Sequence, residues 1–148
     1  VSAPDDSDRG SAALEFIVVG LILLVPLVYL VVALGLIQGQ SLGIEAGARH
    51  IARAVSLSTD ADSARATADR VLDSVVDDYG IDPRAIQVGL ECVPAGATCP
   101  QAGATLVVTV HTRVALPLVP PVLGLERLAS IPIEASAAQK VSRFWGTG

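Results

Sequence analysis

From Phe16 to Ile37 the chain reads FIVVGLILLVPLVYLVVALGLI, 22 residues without a single charge. As a helix this run measures roughly 33 Å at about 1.5 Å per residue. The hydrocarbon core of a bilayer is about 30 Å thick. The match predicts one membrane-crossing helix. Composition points the same way: 51% of residues are apolar but only 3% are aromatic, so the excess is aliphatic. The competing reading is a cleaved secretory signal, which needs a basic leader and an apolar core of about 7–15 residues. Here the preceding stretch, VSAPDDSDRG, holds three aspartates and one arginine, and the core is longer. A small-residue triplet, Ala46-Gly47-Ala48, lies too far beyond the run to serve as its cleavage site. The run therefore reads as an anchor.

Beyond the run, residues 38–57 contain no proline and stay rich in alanine, so the helix is expected to continue to position 57. Gly35, Gly39, Gly43 and Gly47 recur every fourth residue. That spacing keeps them on one slowly drifting face. Each glycine costs a helix interior about 1 kcal/mol relative to alanine. A compensating close approach of another helix backbone is the expected reason for the repeat. Pro26 is expected to kink the membrane helix.

A second helix is predicted after Thr59 or Asp60, either of which can cap it. Ala64, Ala68, Leu72, Val75 and Tyr79 fall on one side, and Gly80 stands where a helix stops. Three period-two stretches follow. Ile86, Val88, Leu90 and Cys92 share a face in the first. Leu106, Val108, Val110, Thr112 and Val114 share one in the second, and Ile131, Ile133, Ala135 and Ala137 in the third. The connection ALPLVPPVLGLERL carries Pro117, Pro120 and Pro121 and cannot be a central strand. The expected fold is α+β: a long N-terminal helix, a second helix and a small three-stranded antiparallel sheet. The expected division is a leader at 1–10, the membrane helix with its extension at 11–57, and an extracytoplasmic domain at 58–148.

Cys92 and Cys99 enclose Pro and Gly in CVPAGATC, a spacing that fits a small disulfide loop. A zinc site is the weaker reading, because two thiols without a nearby histidine make half a ligand set. A disulfide would put the C-terminal part in an oxidising compartment. Counting arginines sets Arg9 against Arg49 and Arg53 and leans slightly the other way. The cysteine pair is the stronger guide. A net charge of −5 without a basic patch argues against nucleic acid. His50 and His111 are the only histidines, and no nucleophile elbow, zinc-protease or phosphate-loop motif occurs. Neither catalysis nor a metal or cofactor is expected.

The segment Gly10-Ser11-Ala12-Ala13-Leu14-Glu15-Phe16 runs straight into the apolar helix. A carboxylate at the mouth of a membrane span needs a reason, since at the helix centre it costs about 2.5–3.5 kcal/mol on insertion scales. A cut after Gly10 would supply one: it creates a positive amine on Ser11 and makes Glu15 the fifth residue. The pattern resembles the processing signature of type IV pilins and pseudopilins. RGSAALEF with its helix, EAGARHIARA, VALPLVPPVLGL and IPIEASAAQKV together resemble the TadE-like minor pseudopilins of the tight-adherence (Tad, Flp-type) pilus system. The acidic leader departs from the basic leaders common in such precursors.

The resemblance implies a pilin-like fold and cleavage after Gly10 by a prepilin peptidase. It implies insertion with the C-terminal domain outside the cytoplasm, and assembly with other pilins or pseudopilins and the pilus assembly platform. In that assembly the amine of Ser11 pairs with Glu15 of a neighbour. Two other readings stand beside it: a single-pass anchored extracellular binding domain that forms no filament, and a type II secretion pseudopilin, which shares the N-terminal motif.

Overall fold

A computed structural model of the chain describes residues 7–96, 98–119 and 123–146. Pro120 and Pro121 lie outside the described residues. The chain divides into two compact units, one through Gly35 and one from Leu36 to Gly148.

The described residues of the first unit are helical. Helix α1 spans Ser7–Leu57 and runs through Pro26 without a break in its assignment. Its C-terminal limit falls where the sequence places it. The helix takes in Ser7 to Gly10, the end of the segment expected as the leader. No proline lies between Ser7 and Gly10. The most apolar window of α1 has a mean hydropathy of 3.1 and is only 6% buried. A core helix of a water-soluble domain would be mostly covered. Among the described residues α1 is the one helix long and apolar enough to cross a membrane.

The second unit pairs the last turns of α1 with α2 (Ala61–Tyr79). Asp60 caps α2: its side chain accepts hydrogen bonds from the backbone N–H groups of Ser63 at 2.8 Å and Asp62 at 3.0 Å. Ser63 Oγ in turn accepts from the Asp60 N–H, which completes a capping box. The Ser63 N–H and then the Thr59 hydroxyl hold the Asp60 carboxyl below its usual range. At the other end Gly80 adopts a left-handed φ of 60°, and its N–H donates to the carbonyl of Val76. Gln40 Nε2 donates to the carbonyl of Gly80 at 3.3 Å and ties that end of α2 back to α1.

Strands β1 (Gln87–Val93), β2 (Thr105–Ala115) and β3 (Ser130–Lys140) form one antiparallel sheet with β2 in the centre. The four-residue helix α3 (Leu125–Leu128) sits in the β2–β3 connection. Along β2, Leu106, Val108, Val110, Thr112 and Val114 are all buried, as their alternation predicts. Leu106, Val108 and Val110 join Ile44, Ala48, Ile51, Ala52 and Val55 of α1 and Ala64 and Val75 of α2, with Val141 and a half-buried Trp145 closing the core. Ile133, Ala135 and Ala137 line the same face from β3. The order is the α+β, pilin-like layout expected from the sequence.

Three features are not set by alternation alone. Strand β3 continues to Lys140, beyond its last apolar residue, because backbone pairing with β2 persists to Thr105. Leu90 is largely exposed although it faces the helices: β1 is an edge strand, and a cavity of about 230 Å³ lies between α2 and the Val88–Leu90 segment. Thr112 is 3% exposed, and its Oγ1 has no hydrogen-bond partner. A buried, unsatisfied hydroxyl is destabilising. Thr112→Val keeps the shape and removes the orphan, so it is expected to raise stability by about 1 kcal/mol. A lower midpoint for this variant in chemical denaturation of the detergent-solubilised protein would show that the hydroxyl is satisfied after all.

Candidate processing and assembly site

Four groups of residues carry the functional expectations, and the fold places them differently. Gly10 and Ser11 lie in the first turns of α1, which begins at Ser7. The first four N–H groups of a helix have no partner within it. The Gly10–Ser11 bond is thus helical but belongs to the part of α1 that opens most easily. Glu15 follows one turn after Ser11 and is exposed. Positions four apart share a helix face, with Cβ atoms about 5–6 Å apart. An amine made at Ser11 would be the first backbone group of the shortened chain, with Glu15 about one turn along from it.

The glycine repeat splits in two. A Cβ on Gly43 would collide with the ring of Tyr79, and one on Gly47 would meet both Val75 methyls at 3.3 Å. Moving four residues forward on α1 moves four residues back on α2, so the two helices run antiparallel. Gly43 and Gly47 let α2 seat its side chains against the α1 backbone. Gly35 and Gly39 have nothing within 4 Å of an added Cβ. Half of the repeat is consumed inside the chain and half is open.

Cys92 and Cys99 form a disulfide with a Cα–Cα distance of 5.7 Å. The bridge closes the β1–β2 connection directly after the pairing of Val93 with Thr105. In the chain-entropy model a loop this short contributes about 2–3 kcal/mol. Reduction, or Cys92→Ser with Cys99→Ser, is expected to lower the thermal midpoint to the same degree. A midpoint indifferent to reductant would show that the sheet holds this corner without the bridge.

Sequence reasoning did not foresee a groove of about 630 Å³ between the C-terminal turns of α1 and the outer side of α2. His50, Arg53 and Leu57 line it from one helix and Arg70, Asp78 and Tyr79 from the other. Its existence depends on the helix–helix approach, which no local pattern encodes. No group of three or more histidine, cysteine or carboxylate side chains able to hold a metal occurs among the described residues.

Searches against protein-family models, curated proteins and solved structures return no match to this chain.

Proposed function

We propose that the protein is a membrane-anchored minor pseudopilin, similar to TadE-like proteins, that assembles or primes a Tad-type surface pilus. In this reading a prepilin peptidase cuts after Gly10 and exposes the amine of Ser11. The observation that supports it most is the coincidence at the start of α1. An uncovered apolar helix of membrane-spanning length is preceded, within two turns, by an exposed Glu15 and a Gly-Ser step four residues before it. Once cleaved, the chain would begin with a positive charge one turn from a negative one. In a low-dielectric setting each is costly alone and far less so when paired. Pairing between staggered neighbours would then set the register of the helices. The Cys92–Cys99 disulfide supports placing residues 58–148 on the oxidising side of the membrane.

The mature N-terminus tests this reading. Protein extracted from membranes of cells with an active prepilin peptidase is expected to begin at Ser11 by mass spectrometry. A chain still carrying residues 1–10 under those conditions would overturn the proposal and leave the anchored binding domain as the better account.

A further inference from the structure

The connection between β2 and β3 leaves large apolar side chains in water. Leu118 is 90% exposed, Leu123 98% and Leu128 84%. Scattered exposed leucines need no explanation, but three in one connection make it a candidate contact surface. Leu118 and Leu123 also hold left-handed φ values of 64° and 56°. That conformation is unfavourable for residues with large side chains.

The position of this connection in the second unit identifies what it meets. At one end of the unit, the N–H of Gly146, just past β3, donates to the carbonyl of Thr59 in the α1–α2 turn. At the other end, Gln40 holds Gly80, and the chain enters β1 a few residues later through the buried Ile81. The strands therefore run alongside the helices. From Lys140 back to Ser130, β3 covers ten steps, roughly 33 Å at about 3.3 Å each. From Leu57 back to Gln40, α1 covers seventeen steps, roughly 26 Å. The β2–β3 hairpin closes beyond Ala115 and Ser130, and Leu116 N–H extends the ladder to the Ala129 carbonyl. The closing pair Ala115–Ser130 thus lies at the level of Gln40 or past it. Gln40 stands less than one turn after Ile37, the last residue of the apolar run.

We propose that Leu118, Leu123 and Leu128 make a second membrane contact, seated in the headgroup–acyl boundary of the bilayer that α1 crosses. This rests on the reading of α1 as a membrane span and is independent of pilus assembly. Leucines on a surface that lies against a bilayer are buried in the interfacial region as in monotopic anchors.

The test uses the full chain in phosphatidylcholine vesicles, with and without lipids brominated on their acyl chains, which quench nearby tryptophan. Native Trp145 lies at the opposite end of the unit and is expected to keep its emission. Leu123→Trp, at a nearly fully exposed site, adds a second fluorophore. Bromolipid is expected to remove roughly half or more of the added emission, as for a side chain buried about 5–10 Å into the interface. Val31→Trp, inside the apolar run, reports on the span itself. Quenching at position 31 without quenching at position 123 overturns the proposal and assigns the leucines to water or a protein partner. No quenching at position 31 overturns the span and the proposal with it. Quenching of Trp145 equal to that at position 123 overturns the orientation.

Discussion

Gly10→Leu is expected to leave the protein uncleaved in cells with an active prepilin peptidase, so that mass spectrometry finds residues 1–10 still attached. Two effects of the substitution point the same way, and their sizes differ. The Gly10–Ser11 bond lies in the first turn of α1 and must leave the helix to enter a protease site. Glycine lowers the cost of that opening by about 1 kcal/mol, or about fivefold in equilibrium constant. Leucine forfeits this, and so does alanine. A fivefold loss slows cleavage without blocking it. The block is expected from the side chain itself, which occupies the space a glycine leaves free beside the scissile bond. Gly10→Ala separates the two: slower but complete processing is expected, against none for Gly10→Leu. Equal, partial slowing in both variants would assign the whole effect to helix opening. Efficient cleavage of Gly10→Leu would sink the processing proposal. Glu15→Ala, in contrast, is expected to be cleaved normally and to lose piliation. Unchanged pili in that variant would refute pairing between Glu15 and the Ser11 amine.

The second large effect concerns stability. Gly43→Leu is expected to destabilise the second unit by about 3 kcal/mol or somewhat less, the upper range for forcing extra atoms into a packed contact. A Cβ at this position lies 2.7–2.8 Å from two ring carbons of Tyr79 and closer still to Cγ. Because Cγ is only two bonds from the backbone, the ring cannot swing clear without moving α2. Gly39→Ala, one turn earlier on the same face, is expected to have the opposite sign. Nothing lies within 4 Å of its added methyl, so the helix gains up to about 1 kcal/mol in propensity. Thermal unfolding of both variants in one detergent provides the comparison. Equal responses at positions 39 and 43 would contradict the packing of α2 over half of the repeat. Gly35 and Gly39 remain available for another helix. Bulky substitutions there are expected to disturb association between subunits while leaving the unfolding midpoint unharmed.

Much of this architecture was legible in the chain. The alternation of TLVVTVHTRV named every buried residue of β2, because a central strand with one covered face obeys the period-two rule without interference. Asp60 and Gly80 bounded α2 as their capping chemistry requires, and CVPAGATC formed its bridge. The exceptions arise where neighbours decide. Leu90 has the right parity, but its edge strand faces a cavity. Lys140 is in β3 because backbone pairing ignores side-chain pattern. Thr112 follows the alternation inward and takes its hydroxyl away from every partner.

The sequence by itself determined the elements that depend on contacts between near neighbours: the apolar length of α1, the caps of α2, the faces of the strands and the place of the Gly-Ser step before Glu15. Only the tertiary structure decided which members of each pattern are already in use. Four glycines look alike in the chain, yet two lie under Tyr79 and Val75 and two are open. The connection after Ala115 read only as no central strand, and the β2–β3 register sets Ala115 opposite Ser130 at the Gln40 end of the second unit. The physical reason is the same in both cases. Propensity and periodicity act over a few residues, whereas burial is settled by side chains far along the chain, and their approach is written in no single stretch of it.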